Sequence, residues 1–220
     1  MLLVYLLAQA LYARLKQADW ANPVLWSVLT LASLLSIGGV SYPSYFARAQ
    51  FIHFLLGPAI VALAWPLWER RAALRQHGFA LLLAALFGGA AASGSALLLG
   101  WGLALPSDVV LSLAPKSVTA PVAMGIADKI GGIPALAAVF AVVTGMVGAL
   151  SGQTLLGWLK ISHQAVWQMV RGFALGTAAH GIGAARAMQV NADAGAFAGL
   201  ALGLQVLLAS VLSPLIARLF

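Results

Sequence analysis

The chain has 220 residues, of which 62% are hydrophobic and 8% are charged. A soluble domain carries about 25% charged residues, so this composition excludes a chain that covers its surface with water-facing side chains. The net charge of +7 comes from Lys and Arg near the ends of apolar stretches, where they signal membrane topology rather than contact nucleic acid.

Long uncharged stretches set the fold class. Five of them contain no Asp, Glu, Lys or Arg: 20–47, 49–68, 76–107, 130–159 and 194–217. About 20 apolar residues in a helix cross a 30 Å hydrocarbon core, so each stretch is long enough to span a bilayer. The sequence therefore predicts a single all-α domain over residues 1–220, a polytopic transmembrane helix bundle of about seven to eight spans.

The first half of the chain predicts four of these spans. They lie at about 2–13, 24–40, 51–68 and 78–103. Residues 41–50 are polar and aromatic and are predicted to connect two spans at the membrane interface, whereas residues 69–77 are predicted to form the most basic loop. Within the third span, Gly57 and Pro58 predict a break, because proline removes a backbone hydrogen bond and clashes with the preceding turn.

The second half contains two interrupted segments, at about 105–129 and 163–192, each followed by a clean span, at 131–158 and 194–217. Pro115 and Pro121 predict a break in the first segment. Gly181 and Gly183, with other glycines, predict one in the second. Because hydrocarbon does not tolerate unpaired backbone groups, both breaks are expected to face protein or a water-filled cavity.

The two interrupted segments resemble each other. When "APKSVTAPVAM" (114–124) is laid over "AAHGIGAARAM" (178–188), Lys116 falls on His180. "LLGW" also occurs twice, at 98–101 and at 155–158. These matches predict internal repeats of the kind found in secondary transporters. The repeats are inverted or parallel according to whether residues 105–129 turn back or cross the membrane, and the sequence leaves both open.

Polar residues at the breaks form the candidate binding site. Lys116 lies between two prolines with Ser117 and Thr119, and a half-helix beginning near Ser117 directs free N–H groups and partial positive charge at the break. His180 and Arg186 add cationic capacity from the second segment. Together they predict a site that binds a small anion, since ionisable groups inside spans are usually functional.

Each of these residues also has a structural alternative. Lys116 could extend from a helix end to the membrane surface, His180 could pack between helices while bonded to backbone, and Arg186 could lie in a loop. Asp108 is either a helix cap or, like His180, a candidate for proton coupling.

Enzyme chemistry is not expected. "SGS" at 93–95 has no histidine or carboxylate near it in the sequence, and the histidines lack the spacing of metal ligands. The sequence therefore predicts neither catalytic residues nor a metal site or cofactor. By the positive-inside rule, "ERRAALR" (69–75) is expected in the cytoplasm, with Lys129 on the same side and Lys160 opposite.

The motifs resemble the LrgB/CidB family over essentially the whole chain. The resemblance rests on "LAPKSVTAPVAMGIADKIGGIPALAAVF" (113–140), "RGFALGTAAHGIGAARAMQVNADAGAFAGLAL" (171–202) and "FLLGPAIVALAWPLW" (54–68). The chain departs from common family members at Gly57, where an acidic residue is often found, and at Gly125.

The resemblance implies a multi-pass protein of the bacterial cytoplasmic (inner) membrane, with two alternative functions. One is secondary transport of small monocarboxylates such as pyruvate, lactate or glycolate, with Lys116, Ser117, Thr119, His180 and Arg186 binding substrate. The other is a holin- or antiholin-like role in murein hydrolase export and autolysis. It also implies a small membrane partner of the LrgA/CidA type, for which this chain could be a non-transporting assembly partner. Small-residue helix faces favour a homo-oligomer, with a dimer as the simplest form.

Overall fold

The computed structural model describes residues 1–15, 21, 23–62, 68, 71–161 and 165–217, and all regular structure among them is helical. The helices are α1 (Leu2–Arg14), α2 (Pro23–Ile37), α3 (Tyr42–Ala62), α4 (Arg71–Gly102), α5 (Ser107–Leu113), α6 (Ala120–Ile130), α7 (Pro134–Trp158), α8 (Ala165–Val190) and α9 (Ala192–Ala217).

The helical class is confirmed, whereas the number of spans is not. Within the described ranges, three helices are long and apolar enough to cross a membrane: Arg75–Gly102 in α4, Pro134–Trp158 in α7 and Ala192–Leu215 in α9. The chain divides into two compact units, Met1–Ala62 and Leu63–Phe220. Each unit is described separately.

The first unit contains α1 to α3, and α1 packs on α2. Residues 41–50 were predicted as a connection, but residues 42–50 instead form the first part of α3. Pro43 is compatible with that helix start because it lies in the first turn, where its missing N–H is not needed. The helix also continues through Gly57 and Pro58, where the sequence predicted a break. Residues 63–67 of the predicted third span, and residues 69–70 of the predicted basic loop, lie outside the described residues.

The second unit begins with α4, which is longer than predicted. Arg71–His77, predicted as loop, forms the first two turns of this helix. Arg, Ala, Leu and Gln are all good helix formers, so a basic stretch continues the apolar helix without a break. Arg71 also fixes this end, since its Nη1 donates to the carbonyl of Trp68 at 3.0 Å and its guanidinium lies 4.8 Å from the Trp68 ring centre.

Residues 105–133 form a first helical hairpin, which turns back rather than crossing. Its start lies against the end of α4, because a Cβ on Gly100 would lie 3.8 Å from Leu105 Cδ1. Val110 of α5 packs with Leu97 of α4 in one apolar cluster. Ile130 at the end of α6 packs against that same cluster. The hydroxyl of Ser112 accepts the N–H of Ile133 at 2.7 Å. The hairpin therefore enters and leaves at one end of the unit, here called the Gly102 end.

α8 forms a second hairpin, with a first arm at 165–179 and a second arm at 181–190. His180 has φ 40° and ψ −130°, which interrupts the helix. A Cβ on Gly183 would lie 2.5 Å from the carbonyl oxygen of Leu175 and 2.6 Å from Ala179 Cβ, so the second arm runs back along the first. An uninterrupted helix would separate residues 175 and 183 by about 12 Å.

Contacts with the long helices set the direction of this second hairpin. Gly148 packs against Ala179, and Gly152 packs against Leu175, so the first arm of this hairpin is antiparallel to α7. α9, the next helix along the chain, runs parallel to that arm, because residues 194 and 198 of α9 pack against Gly172 and Gly176. The hairpin therefore enters from the end opposite to the Gly102 end, here called the Arg71 end.

The second unit consequently contains two inverted halves. In one, α4 runs toward the Gly102 end and is followed by the first hairpin. In the other, α7 runs toward the Arg71 end and is followed by the second hairpin. The repeated "LLGW" motifs end α4 and α7, and they place Trp101 and Trp158 at opposite ends, where tryptophan is favoured at membrane interfaces. The two halves therefore run in opposite directions, which is the inverted arrangement of the two that the sequence left open.

This direction corrects the predicted sides of two lysines. The C-terminus of α7 and the N-terminus of α4 share the Arg71 end, so Lys160 lies on the same side as Arg71 and Arg75. Lys129, at the end of α6, lies at the Gly102 end. The prediction had assumed that residues 105–129 cross the membrane. Because they turn back, the residues after them lie on the side opposite to the one predicted.

Candidate functional site

The tips of the two hairpins meet inside the second unit. A Cβ on Gly181 would lie 3.8 Å from Thr119 Cγ2, which is ordinary van der Waals contact. The depth of the first tip follows from Ser93, whose hydroxyl donates to the carbonyl of Ala114 at 2.8 Å. Ser93 precedes the end of α4 at Gly102 by nine residues, or about 13 Å along a helix. That depth is close to the middle of a hydrocarbon core about 30 Å thick.

The first tip is an irregular turn between α5 and α6. Pro115 lies in this turn, as predicted for a helix break, whereas Pro121 is the second residue of α6 and helps the helix to begin. Thr119 precedes α6 with extended backbone, and its side chain makes no capping hydrogen bond to the first turn. The positive end of the α6 dipole is therefore directed at the site where the tips meet.

Two predicted ligands lie on this turn. Ser117 is 3% exposed, and its buried hydroxyl oxygen has no hydrogen-bond partner among the described residues. Lys116 is half-buried. An unpaired buried hydroxyl is costly, at about 1–3 kcal/mol, so the tip has unused hydrogen-bonding capacity next to an amino group.

The second tip is His180, and its ring already has a partner. His180 is 3% exposed, and its Nε2 lies 2.7 Å from the carbonyl oxygen of Ala141 on α7. Gly145 makes room for the ring, since a Cβ there would lie 2.7 Å from Nε2. The break itself falls on His180, not on Gly181 as predicted. His180 thus anchors the second tip to α7, and the second arm begins immediately after it with its N-terminus at the junction.

Two predicted site residues lie away from the tips. Arg186 is on the second arm, six residues beyond His180, or about 9 Å along the helix. Asp108 lies in the first turn of α5 at the Gly102 end, where it is exposed and its Oδ1 accepts the N–H of Val109 at 2.9 Å. The structure therefore brings Thr119, on the turn that carries Lys116 and Ser117, next to Gly181, the residue that follows His180.

Arg171 was not among the predicted site residues, and it is 2% exposed on the first arm of α8. Its Nη1 donates to the carbonyl of Ile161 at 2.9 Å, and its Nη2 donates to Gln153 Oε1. Gln153 follows an apolar run in α7, and this isolated amide is the signal in the sequence that could have indicated a buried partner. The pair holds the second hairpin to α7 near the Arg71 end.

The electrostatics of the junction favour an anion. The N-terminus of α6 and that of the second arm both lie at the contact between Thr119 and Gly181, and Lys116 is three residues before Thr119. Half-helix N-termini of this kind bind anionic groups of substrates in transporters. Among the residues that the structure describes, no group of three or more His, Cys, Asp or Glu side chains could hold a metal ion.

Sequence comparisons agree with the motifs. The model of the LrgB-like family matches residues 1–219. The chain is 33% identical over 216 residues to the uncharacterized protein YxaC of Bacillus subtilis, covering 98% of this chain and 92% of that protein. It is 34% identical over 198 residues to an uncharacterized protein of Haemophilus influenzae, covering 90% and 84%.

A further relative has a functional name. The chain is 28% identical over 225 residues to the holin-like protein CidB of Staphylococcus aureus, covering all of this chain and 96% of CidB. No solved structure matches the chain. Because the family model covers nearly every residue, this membrane protein belongs to the LrgB-like family.

Proposed function

We propose that the protein is a secondary transporter, or the transport subunit of one, for small monocarboxylates such as pyruvate, lactate or glycolate. The observation that carries this proposal is the junction of two re-entrant tips near mid-membrane depth. A carboxylate there interacts with Lys116, with the free hydroxyl of Ser117 and with two half-helix N-termini. A small anion fits this set, because every group supplies positive charge or a hydrogen-bond donor.

The proposed mechanism is alternating access, in which the two inverted halves expose the junction to opposite sides in turn. One hairpin enters from each end of the unit, so movement of either one opens a path to its own side. His180 positions the second tip through Ala141, and we do not assign it a direct contact with substrate. Asp108 is seven residues before Pro115, or about 10 Å along a helix, so we do not assign it a proton exchange with a substrate at the tips.

Thermal stabilisation of the purified protein by a panel of short carboxylates tests the proposal. Pyruvate, lactate or glycolate is expected to raise the melting temperature, and Lys116→Ala is expected to abolish this rise. Lys129→Ala is the matched control, since Lys129 is exposed at the far end of α6 and its removal leaves the tip intact. Proteoliposomes should then accumulate the labelled carboxylate. The absence of a shift with every carboxylate would contradict the proposal.

A holin-like function is the second candidate, and the name of the CidB relative favours it. A pore of this kind releases solutes without regard to charge, whereas a transporter is selective for the carboxylate. Leakage of neutral and anionic dyes of several sizes from proteoliposomes, unchanged in Lys116→Ala, would support the holin-like function.

A third arrangement is an assembly role beside a small membrane protein of the LrgA/CidA type. In that case this chain alone transports nothing, and its deletion lowers the amount of the partner in the membrane. Transport by this chain alone, as a monomer or a homodimer, would exclude the assembly role as its only function.

A further inference from the structure

A groove in the first unit lies between the start of α1, the loop that follows α2 and the first half of α3. Its volume is about 600 Å³, within the range of about 300–1,000 Å³ that is typical of sites for small molecules. Tyr45 joins two of its walls, since its hydroxyl donates to Met1 Sδ at 2.7 Å. The groove therefore has a defined shape within one compact unit.

The lining of this groove combines hydrocarbon with a single charge. Its large apolar side chains include Leu2, Leu3, Val40 and Phe51. Among the lining residues that the structure describes, Arg48 is the charged one. Apolar side chains bind hydrocarbon, and a guanidinium binds an anionic oxygen. The lining is therefore complementary to an amphiphile with a negatively charged headgroup.

Arg48 has no carboxylate to pair with in this unit. It is the only Asp, Glu, Lys or Arg in residues 20–68, and none of the described residues of Met1–Ala62 is acidic. Ser44 adds a donor beside it in the lining. The Ser44 oxygen accepts the hydroxyl of Ser41 at 3.0 Å, and no described residue accepts the proton of Ser44. The described part of the groove thus supplies a cation and an O–H donor without an anion.

The position of Arg48 along α3 matches the level of lipid phosphates. Residues 38–41 join two apolar helices, and irregular backbone of this kind lies at the membrane surface. Arg48 follows the start of α3 by six residues, or about 9 Å along a helix. The headgroup layer is about 5–8 Å thick on each side of the bilayer. An arginine just below this layer reaches the phosphates with its long side chain.

We propose that this groove binds a phospholipid with an anionic headgroup, such as phosphatidylglycerol. Its phosphate accepts hydrogen bonds from the Arg48 guanidinium and from the Ser44 hydroxyl, and an acyl chain packs on the apolar lining. Arginine suits this role because its planar guanidinium donates two parallel hydrogen bonds to one phosphate. The site belongs to the first unit and the transport junction to the second, so neither proposal depends on the other.

Native mass spectrometry of the purified full-length protein tests this site. The probes are phosphatidylglycerol and phosphatidylcholine with identical acyl chains. We expect phosphatidylglycerol to bind about fivefold more tightly, which corresponds to about 1 kcal/mol for one basic residue. Arg48→Gln is expected to abolish this preference, whereas Arg48→Lys, which keeps the charge without the paired donors, should keep part of it.

Two further variants separate the charge from the groove. Arg14→Gln is the matched control, because it removes the same charge from an exposed arginine at the other end of α1, and it should keep the preference. Ala49→Phe places a ring in the lining of the groove and keeps Arg48, so it is expected to weaken the binding of both lipids.

Three results would overturn the lipid site. The first is equal affinity for the two lipids, or a preference that Arg48→Gln leaves intact. The second is displacement of phosphatidylglycerol by inorganic phosphate, which would indicate a site for a soluble anion. The third is a dimer that Arg48→Gln dissociates, which would show that a second copy covers the groove. Loss of the preference in Arg48→Gln, with an unchanged response to carboxylates, would support the lipid site and leave the transport proposal as it stands.

Discussion

The contact between Gly145 and His180 gives the sharpest test of how the second tip is held. In Gly145→Ala the new methyl group would lie 2.7 Å from two atoms of the His180 ring and 2.9 Å from Ile182 Cδ1. Overpacking of this kind costs about 1–3 kcal/mol. Displacing the ring also weakens its hydrogen bond to Ala141, which is worth about 1 kcal/mol.

Replacement of glycine by alanine in a helix raises the free energy of unfolding by about 1 kcal/mol through helix propensity. The net effect expected is therefore a loss of about 1–3 kcal/mol in the free energy of unfolding. For a chain of this size each kcal/mol corresponds to about 2–4 °C in melting temperature. Because the tip moves with the ring, the response to carboxylates should fall as well.

Gly203→Ala is the control for this substitution. Gly203 lies inside α9, and a Cβ there would have no heavy atom within 4 Å. This variant is expected to be as stable as the parent, or more stable. Thermal unfolding of both variants, with and without pyruvate, measures the difference. Equal melting temperatures for the two variants would refute the role of Gly145 in holding His180.

Two further predictions concern the second hairpin and the topology. Arg171→Ala removes one of the largest fully buried side chains and both of its hydrogen bonds, so the unfolding free energy is expected to fall by about 2–5 kcal/mol, as thermal unfolding would detect. Because the chain contains no cysteine, single cysteines can report topology. Asp108→Cys and Lys129→Cys should react with an impermeant maleimide from one side of the membrane, and Lys160→Cys from the other, whereas a full crossing by residues 105–129 would separate the first two.

Several features of the fold could be predicted because they depend on local chemistry. Uncharged stretches of membrane length indicate spanning helices whatever their neighbours are. Pro115 breaks a helix because it lacks an N–H, and the break lies there. The match of Lys116 with His180 also located both tips, since each motif surrounds a change of direction.

Re-entry could not be predicted from the same patterns. Apolar arms that turn back have the same composition as helices that cross, and only long-range contacts such as Ser112 with Ile133 distinguish the two. The position of the second break was missed for a related reason. Glycines predicted it at Gly181, but the contacts of the ring with Ala141 and Gly145, both distant in sequence, place the break on His180.

The non-glycine residue at the second break raises a final question that mutagenesis can answer. A histidine with φ 40° and ψ −130° adopts backbone angles that only glycine favours, at a cost of about 1–3 kcal/mol. Glycine at this position would relieve the strain, but it would lack the imidazole ring that anchors the tip to Ala141. His180→Gly removes both the backbone strain and the hydrogen bond to Ala141. Their effects on the free energy of unfolding have opposite signs and similar size.

The melting temperature of His180→Gly is therefore expected to change little, while the stabilisation by pyruvate is lost because the tip no longer has a fixed position. A residue that only packs between helices would give the opposite pattern, with lower stability and an unchanged response to pyruvate. His180→Asn keeps a side-chain donor and tolerates positive φ better than most residues, so it should recover part of the response. If His180→Gly binds pyruvate as the parent does, the second tip is not part of the binding site, and the first tip with Lys116 must bind the anion alone.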